Sequence, residues 1–366
     1  MPEFASNEQI IMAARRNLPE GDWNYLVAGS ESETTLRRNR QAFDRVAFRP
    51  RVLRDVGKID TSTTFLGHSL RIPVMNAPIG SLQAFTPTGG VAVAEAAHEF
   101  GVIPVISTAT QPGLEAIAEA SPGPKFFQLY VREDDPGIES LLKRVVAAGY
   151  AGLALTVDLA VDSRRERAML SGYTRPSRRG IVYNSVFQSR LDWDRMDSIR
   201  SQVAGMPFMV KGVQTAEDAE LCVEHGVDVI WVSNHGGRQL DHAIGTLDTL
   251  REVTEAVQGK AEIIIDGGVQ RATDVLKAIA LGARAVAIGR LTGYGLAANG
   301  KDGLVRVLEI LENEMISAMG LLGITRIDEL GPEFVREADA VGRSHEMSSW
   351  VNMERIGEVS SDGRVL

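Results

Sequence analysis

Two stretches decide the fold of this chain: V-I-W-V-S-N-H-G-G-R at residues 229–238 and I-I-I-D-G-G-V at residues 263–269. In each, an apolar and largely β-branched run passes directly into a Gly-rich turn, and a helix-like stretch follows. Short apolar runs of this kind, bounded by turn residues, are typical of strands that are covered on both faces. Each stretch therefore predicts a strand, a turn that carries polar side chains, and a helix that returns along the strand.

Outward from these stretches, the same unit recurs along the chain after residue 60. Strands that alternate with helices in this way are typical of a single (β/α)₈ TIM barrel. A doubly wound sheet is the alternative, but the first strand ends in N-A-P-I-G-S at 76–81 and lacks the G-x-G-x-x-G turn which that fold commonly uses. The eight predicted strands are 73–77, 102–106, 126–130, 152–156, 207–211, 228–232, 262–266 and 285–289.

The rest of the chain is assigned around this barrel. Two short helices are predicted within residues 7–28, and a long loop without clear periodicity follows the fourth strand and covers the barrel mouth. Residues 1–340 are predicted to form the barrel domain, and residues 341–366 a polar and mobile C-terminal tail. The helices of the barrel are predicted at 92–99, 113–120, 138–148, 216–225, 246–257, 272–281 and 303–319.

Composition argues against several classes of protein. The formal net charge is −9 and the pI is about 5.3, so a general nucleic-acid surface is not expected. The single cysteine, Cys222, allows no intramolecular disulfide and lies in a helix-like run where we expect it to be buried. No apolar run reaches about 18 residues and no signal-peptide pattern is present. These features favour a cytoplasmic protein without a membrane span.

Polar side chains follow the predicted strands at the points where the strands end. In a barrel these points share one face, the C-terminal mouth, where barrel enzymes place their active sites. One polar residue at a strand end is uninformative, but a set at corresponding ends indicates a site. The set is Ser107, Gln128, Tyr130, Thr156, Asp158, Lys211, Ser233, His235, Arg238, Asp266 and Arg290.

The most informative segment is S-N-H-G-G-R-Q-L-D at 233–241. The imidazole of His235 is a suitable base near neutral pH. The guanidinium of Arg238 can grip a carboxylate through two parallel hydrogen bonds. Together they suit the removal of a proton from a small acid that is held by its carboxylate. The alternative is a turn whose His is merely hydrogen-bonded.

Further features fit the same site. The glycines of D-G-G-V at 266–269 and of I-G-R at 288–290 would let backbone N–H groups approach a phosphate, and Arg290 would add charge. Lys211 could stabilise a developing anion, and Asp158 could orient the imidazole. The plainer alternatives are ordinary Gly turns, a rim lysine and a helix N-cap. The His and Cys residues show no metal-ligand spacing, so no metal is expected.

At these motifs the sequence resembles the family of FMN-dependent 2-hydroxy-acid oxidases and dehydrogenases, which includes glycolate oxidase, lactate oxidase and monooxygenase, mandelate dehydrogenase and the flavin domain of flavocytochrome b2. The resemblance extends over most of the chain, with several specific motifs in the right order. Besides S-N-H-G-G-R-Q-L-D they are F-F-Q-L-Y at 126–130, L-T-V-D at 155–158, R-R-E at 164–166, V-K-G-V at 210–213, D-G-G-V at 266–269 and I-G-R at 288–290.

The resemblance implies FMN as cofactor and assigns catalytic roles. His235 corresponds to the base, Asp158 to the carboxylate that orients it, Tyr130 to a tyrosine near the substrate hydroxyl and Lys211 to the lysine beside the flavin. The residues that match contacts to the substrate carboxylate are Tyr25, Arg165 and Arg238. The residues that match the FMN site are Ala77, Pro78, Ile79, Ser107, Gln128, Thr156, Lys211, Ser233, Asp266, Gly268, Gln270, Gly289 and Arg290.

The sequence departs from the family pattern at several positions. Gln270 stands where an arginine usually reaches the FMN phosphate, with Arg271 following it, and Ile79 stands where a smaller residue is common. Gly80 replaces the Ala of fast oxidases, which puts efficient use of O₂ in doubt. Ala109 replaces the Trp of glycolate oxidase, and the loop after the fourth strand is shorter. A wider pocket and a substrate larger than glycolate are therefore expected.

The resemblance implies oxidation of a 2-hydroxy acid to a 2-keto acid, with O₂ or a soluble carrier as electron acceptor and a homotetramer or homo-octamer as assembly. No haem domain is expected before the barrel. One alternative is the same flavin barrel acting on another substrate, such as an amine or a natural-product or peptide-cofactor intermediate. Arg165 and Arg238 argue against that reading, because a substrate without a carboxylate would leave them unpaired. The others are a flavin-dependent isomerase and a non-catalytic flavin-binding scaffold.

Overall fold

The computed structural model describes residues 4–179, 186–342 and 344–353. Eight parallel strands pair in chain order, and the last pairs with the first, so that the sheet closes into a barrel. This confirms the predicted (β/α)₈ fold and each predicted strand to within two residues at either end. The strands are β1 (Val74–Asn76), β2 (Ile103–Ser107), β3 (Phe126–Leu129), β4 (Gly152–Thr156), β5 (Phe208–Val213), β6 (Val229–Val232), β7 (Glu262–Ile265) and β8 (Ala285–Ile288).

The strands carry continuous apolar runs because both of their faces are buried. Alternate residues of β6, Val229 and Trp231, belong to the cluster that fills the barrel interior. Their neighbours Ile230 and Val232 belong to the separate cluster between the sheet and the surrounding helices. A hairpin of Thr63–Phe65 and His68–Leu70 contributes to the interior cluster as well. This two-sided burial is the physical reason why the sequence shows no alternation of polar and apolar residues in these strands.

A helix follows each strand of the barrel, and three more precede it. The helices before the barrel are Asn7–Asn17, Glu20–Val27 and Thr34–Asp44; the first two were predicted and the third was not. Several begin at side-chain caps, as at Thr215, whose hydroxyl accepts a hydrogen bond from the backbone N–H of Asp218. The barrel helices are Gly90–Phe100, Leu114–Glu119, Asp135–Ala147, Trp193–Ser201, Ala216–Glu224, Thr246–Val257, Ala272–Ala280 and Arg290–Leu322.

The last helical stretch, Arg290–Leu322, begins directly after β8. The predicted helix at 303–319 lies within its second half, and its first half was not predicted. Non-helical backbone at Asn299 and Gly300 interrupts it. Its first half is rich in glycine, which hides the helical pattern, but the packing requires these residues to be small. A Cβ on Gly295 would lie 2.8 Å from the Cα of Leu304. The early start places the N-terminus of this helix at the barrel mouth.

The long loop after β4 is more ordered than its sequence suggested. It contains the helices Glu166–Leu170 and Val186–Ser189 and a 3₁₀ turn at Pro176–Arg178. We call residues 159–179 of this loop the lid. The backbone N–H of Ser177 donates to the hydroxyl of Ser81, which fixes the 3₁₀ turn to the loop after β1 at 3.0 Å.

Residues 344–353, which we call the C-terminal segment, pack against the barrel. Met347 and Trp350 are buried in the main core cluster. The guanidinium of Arg271 lies 4.1 Å from the centre of the Trp350 ring and donates to the carbonyl of Ser349. The prediction of a mobile polar tail is therefore wrong for this segment, whereas residues 354–366 lie outside the described residues. None of the described helices is both long and apolar enough to cross a membrane.

Candidate active site

A deep cleft opens at the C-terminal ends of the strands. Its walls come from the helix Glu20–Val27, the loops after the strands, the lid and the C-terminal segment. Most of the predicted site residues line it. They are Tyr25, Ala77, Pro78, Ile79, Tyr130, Arg165, Lys211, His235, Arg238, Asp266, Gly268, Gln270, Gly289 and Arg290.

The other predicted residues lie at the strand ends and belong to three hydrogen-bonded groups, two of which also contain residues that line the cleft; they are Ser107, Gln128, Thr156, Asp158 and Ser233. In one, the Ser107 hydroxyl donates to the Gln128 side chain at 2.8 Å, and Gln128 donates to the Thr156 hydroxyl at 2.9 Å. Gln188, which the sequence did not single out, donates to the Thr156 carbonyl and accepts from the backbone N–H of Val131. This series of hydrogen bonds thus fixes each side-chain amide and hydroxyl in one orientation.

The second group holds a buried cation. The ammonium of Lys211 at the end of β5 donates to the Ser233 hydroxyl at 2.8 Å and lies 3.4 Å from the Asp266 carboxylate. Ser233 donates in turn to Asp266 at 2.7 Å. Burial alone would lower the pKa of Lys211, but the carboxylates of Asp266 and Asp158 more than offset this and raise it. Lys211 is therefore a fixed positive charge in the floor of the cleft.

The third group is centred on His235, whose Nδ1 lies 2.9 Å from the Asp158 carboxylate. The backbone of His235 is left-handed, with φ of 58°, in the turn between β6 and Gly236-Gly237. A neutral imidazole that donates from Nδ1 to Asp158 keeps an acceptor at Nε2, and the Tyr130 hydroxyl lies 3.4 Å from that atom. Nε2 therefore faces the cleft as a proton acceptor.

Burial sets the protonation state of this pair. It lowers the pKa of His235, the positive charge of Lys211 lowers it further, and the Asp158 carboxylate only partly compensates. Burial would raise the pKa of Asp158, but His235 and Lys211 hold it below its ordinary value. At neutral pH the arrangement is a neutral imidazole beside an ionised carboxylate, which is the state that a general base requires.

Two arginines converge on the C-terminal end of the helix Glu20–Val27. Arg238 donates to the carbonyls of Tyr25, Leu26 and Ala28, and Arg290 donates to those of Val27 and Ala28. Carbonyls at a helix C-terminus lack partners within the helix and carry partial negative charge. The cations thereby fix the helix end, and with it Tyr25, against the cleft.

Arg165 reaches the same region from the lid. Its guanidinium donates to the Ser163 hydroxyl and the Gln239 side chain. Burial, together with the nearby Arg175, lowers the pKa of Arg165 to about 10, so it remains charged at neutral pH. The Tyr25 hydroxyl donates to the Gly80 carbonyl at 2.8 Å. The cleft thus gathers two guanidinium groups and a phenol near the His235 imidazole.

The far end of the cleft is built from glycine and a helix N-terminus. Gly268 has a φ of +83°, and a Cβ on it would lie 2.6 Å from the Asn39 carbonyl, so only glycine fits there. Gly289 faces open space and directly precedes the helix Arg290–Leu322. Exposed N–H groups, the positive end of the helix dipole and the Arg290 guanidinium together suit a phosphate.

Comparison with known proteins decides the family. The sequence model described as "FMN-dependent dehydrogenase" matches residues 14–184 and 178–337. The chain belongs to this family. It is 38% identical to a peroxisomal (S)-2-hydroxyacid oxidase of Arabidopsis thaliana over 92% of the chain and 97% of that protein. It is 37% identical to an L-lactate oxidase of Nostoc sp. over 88% of the chain and 95% of that protein.

Solved structures of the family share the same barrel. A mandelate oxidase structure aligns with a TM-score of 0.84 and 35% identity, covering 93% of this chain and all of that one. Membership of the FMN-dependent dehydrogenase family makes FMN the cofactor, in agreement with the sequence resemblance. The glycine-lined end, with Arg290 and the helix N-terminus, has the chemistry that binds a phosphate such as that of FMN. The buried polar side chains and Lys211 offer hydrogen-bonding groups and a cation that suit a flavin ring.

Contacts with the C-terminal segment show how the chain uses Gln270 and Arg271, the positions at which it departs from the family pattern. Gln270 lines the cleft, and its amide nitrogen donates to the backbone carbonyl of Glu346 at 2.5 Å. Arg271 instead pairs with Glu314 and stacks on Trp350. Arg271 therefore does not replace the family's arginine in the cleft. At the glycine-lined end Arg290 is joined by Arg40, whose guanidinium donates to the Gly268 carbonyl.

Several cleft residues escaped sequence reasoning. Arg132, Arg175 and Ser177 line the lid side, and Glu346 lies at the phosphate end. The segment R-P-S-R-R at 175–179 has no periodicity, and nothing in its sequence indicates which arginine faces inward. The described residues contain no group of three or more His, Cys, Asp and Glu side chains that could hold a metal ion. Cys222 is fully buried, as predicted.

Proposed function

We propose that the protein oxidises a 2-hydroxy acid to the corresponding 2-keto acid, with His235 as the base. The observation that carries this proposal is the neutral His235, held by Asp158 at 2.9 Å in the same cleft as Arg165 and Arg238. The arginines bind the substrate carboxylate, and His235 takes a proton from the substrate. Bound FMN supplies the two-electron acceptor.

The neighbouring groups have defined roles in this proposal. Asp158 stabilises the imidazolium that forms when His235 accepts the proton, as the carboxylate of a catalytic triad does. The Tyr130 hydroxyl, 3.4 Å from Nε2 of His235, is placed to hydrogen-bond the substrate hydroxyl. Lys211 stabilises negative charge on the reduced flavin. Tyr25 adds a hydroxyl to the carboxylate site. The cofactor contacts are those proposed above from the resemblance.

The test is anaerobic mixing of the purified FMN protein with a panel of 2-hydroxy acids while the visible flavin band is followed. We expect at least one acid to bleach the band and His235→Asn to abolish bleaching. A matched control is His242→Asn, because His242 lies on the same loop with two-thirds of its side chain exposed. Both variants should retain FMN and be reduced by dithionite.

Bleaching by no 2-hydroxy acid, in a protein that dithionite reduces normally, would overturn the proposal in favour of another substrate on the same flavin barrel. Subsequent mixing with air separates O₂ from a soluble carrier as the electron acceptor. The relatives include enzymes named as oxidases and as dehydrogenases, which is why both kinds of acceptor are tested.

We further infer a cytoplasmic homotetramer or homo-octamer in which residues 1–340 act as one catalytic domain. The family resemblance supports the oligomer, and the single buried cysteine fits a reducing compartment. A relative from Arabidopsis thaliana is named as peroxisomal. Light scattering of the purified protein measures the assembly directly, and a monomer would contradict it.

A further inference from the structure

The helix Thr34–Asp44 connects two parts of the cleft that lie on different loops. Its neighbouring residues Asn39 and Arg40 are both buried, with 0% and 2% of their surface exposed. Successive residues of an α-helix point about 100° apart, so the two side chains leave the helix in different directions. Asn39 meets the turn that carries His235, and Arg40 meets the loop after β7.

Asn39 is joined to Asn234 by two side-chain hydrogen bonds that run in opposite directions. The amide nitrogen of Asn39 donates to Oδ1 of Asn234 at 2.9 Å, and the amide nitrogen of Asn234 donates to Oδ1 of Asn39 at 2.7 Å. Oδ1 of Asn39 also accepts from the backbone N–H of Thr246 at 3.1 Å. Because asparagine is a poor helix former, these tertiary contacts and not local preference account for its place in the helix.

Asn234 in turn closes the turn of the base. Its Oδ1 accepts from the backbone N–H of Gly237 at 3.0 Å, while the Ser233 hydroxyl accepts from the backbone N–H of His235 at 3.0 Å. The left-handed backbone of His235, with φ of 58°, is uncommon for a residue other than glycine and persists only where its surroundings hold it. Asn39 therefore belongs to the contacts that hold this turn.

Arg40 holds the loop after β7 through a buried ion pair. Its guanidinium donates to both carboxylate oxygens of Asp274 at 2.7 Å and to the Gly268 carbonyl at 2.8 Å. The same carboxylate accepts from the backbone N–H groups of Gln270 and Arg271. Burial alone would raise the pKa of Asp274, but Arg40 holds it below its ordinary value, so the pair stays charged. Three of the four backbone units of this loop are thus fixed by one pair of side chains.

The two contacts act on different parts of the site. The loop after β7 forms the glycine-lined end, where Arg40 itself lines the cleft. The turn held by Asn39 carries the base. The guanidinium of Arg238, on the substrate side, has separate anchors, because it donates to carbonyls of the helix Glu20–Val27. Loss of either contact should therefore impair one part of the site and spare the other.

We propose that Asn39 and Arg40 are positioning residues that divide the site between them: Asn39 fixes the turn of the base, and Arg40 fixes the loop that faces the FMN phosphate. The part that concerns Asn39 rests on the proposed function, because it requires His235 to be the base. Each residue acts through its contacts with a loop and takes no part in the proton transfer itself.

The first variant, Asn39→Ser, removes the paired amide. We expect the limiting rate of anaerobic flavin reduction by a 2-hydroxy acid to fall by about tenfold to a hundredfold, since displacing a reacting group by about 1 Å can cost on the order of 10²-fold in rate. The apparent Kd of the acid should stay close to that of the wild type, because Arg238 keeps its anchors. FMN affinity, measured by fluorescence titration of the apoprotein, should also be retained. Asn39→Asp keeps an oxygen that accepts from Asn234 and should lose less of the rate.

The second variant, Arg40→Lys, keeps a positive charge beside Asp274 but lacks the planar fork that reaches the carboxylate and the Gly268 carbonyl together. We expect the Kd of FMN to rise by about tenfold, the usual effect of losing one charge-assisted hydrogen bond. Riboflavin, which has no phosphate, should bind this variant as it binds the wild type. When FMN is added to full occupancy, the limiting rate of flavin reduction should fall far less than in Asn39→Ser.

The matched control is Gln41→Ala, because Gln41 is the next residue on the same helix and is exposed. It should change neither FMN affinity nor the rate of flavin reduction. Far-UV circular dichroism and the Tm of each variant show whether a loss follows from unfolding. If Asn39→Ser and Arg40→Lys lose rate and FMN affinity in the same proportion, the helix only supports the fold and the proposal is overturned.

Further outcomes separate this proposal from the proposed function. If an acid reduces the wild-type flavin and Asn39→Ser keeps the full rate, or if Arg40→Lys binds riboflavin as weakly as FMN relative to the wild type, the division of the site is wrong and the proposed function stands. If no 2-hydroxy acid reduces the wild-type flavin, the proposed function fails together with the part that concerns Asn39. The titrations of Arg40→Lys with FMN and riboflavin then still decide the part that concerns Arg40.

Discussion

At the scale of single residues, the sequence predicts which residues form the site better than it predicts which groups these residues contact. His235, Asp158 and Arg238 were all singled out from their motifs, and the structure brings them to one cleft. The partners of Arg238 could not be predicted, because the Ala28 carbonyl that it contacts lies 210 positions away in the chain. Nothing local to an arginine indicates that the end of a distant helix will take its N–H groups.

The His235–Asp158 pair predicts the pH dependence of the reaction. Because burial lowers the pKa of His235, the base is already neutral at neutral pH. We expect kcat/KM to be flat there and to fall only as pH drops through the lowered pKa, with an inflection below the ordinary value of about 6.5. Steady-state rates across this range, with FMN retention checked at each pH, measure the profile.

The variant Asp158→Asn sharpens this test. The Asp158 carboxylate raises the pKa of His235, so its removal should move the inflection to still lower pH and slow the reaction throughout. The loss in kcat should be on the order of 10²- to 10⁴-fold, as for other histidine bases deprived of their carboxylate. An inflection at or above the ordinary histidine value, or one that moves upward in Asp158→Asn, would contradict the assignment of His235 as the buried base.

At the scale of elements, the prediction of helices succeeded where apolar residues recur at helical spacing. It failed where glycine residues or tertiary contacts determine the structure. The helix Thr246–Val257 was predicted to the residue, because its apolar positions recur at helical spacing. The first half of the helix Arg290–Leu322 was missed because its glycines carry no pattern. The lid was read as irregular because its short helices are too brief for periodicity to appear.

The C-terminal segment is the element whose role the sequence hid most completely. Met347 and Trp350 are spaced as one helical turn but stand in a polar stretch, which reads as a tail. The structure buries both against the barrel, and the segment brings the backbone of Glu346 to Gln270 at the phosphate end of the cleft. The segment therefore forms part of the wall of the cleft at its glycine-lined end.

We expect Trp350→Ala to weaken FMN binding while the barrel remains folded. The change removes the ring on which Arg271 stacks, a contact worth about 1–2 kcal/mol when it is desolvated, and frees the segment from the cleft. Such a loss corresponds to roughly a tenfold rise in Kd. The matched control is Val351→Ala, since the Val351 side chain is 90% exposed.

The measurement is fluorescence titration of the apoprotein with FMN, beside far-UV circular dichroism of each variant. Equal FMN affinity of Trp350→Ala and the wild type would mean that the segment packs on the barrel without closing the cofactor site.

At the scale of the whole molecule, the fold was predictable because its strands are buried on both faces and its turns carry polar residues in a regular order. The site was predictable in part, because strand ends of a barrel share one face whatever the sequence of the helices. The charge balance of the site could not be predicted from the sequence. It depends on how the lid, the helix Glu20–Val27 and the C-terminal segment converge on the cleft from distant parts of the chain.

This convergence predicts that FMN stabilises the whole molecule through its phosphate. The glycine-lined end joins β7, β8, the helix Arg290–Leu322 and the C-terminal segment, and Arg290 links it to the helix Glu20–Val27. A ligand that binds only the folded state adds about 2.7 kcal/mol to stability at roughly one hundred times its Kd.

Riboflavin has the same ring and ribityl chain but no phosphate. We therefore expect FMN to raise the Tm of the apoprotein by several degrees and riboflavin, at equal concentration, to raise it much less. Differential scanning fluorimetry read from intrinsic tryptophan emission measures both shifts without interference from turnover. Equal shifts for the two ligands would show that the ring contacts alone hold the cofactor, and that Arg290 and the helix N-terminus serve only to fix the end of the helix Glu20–Val27.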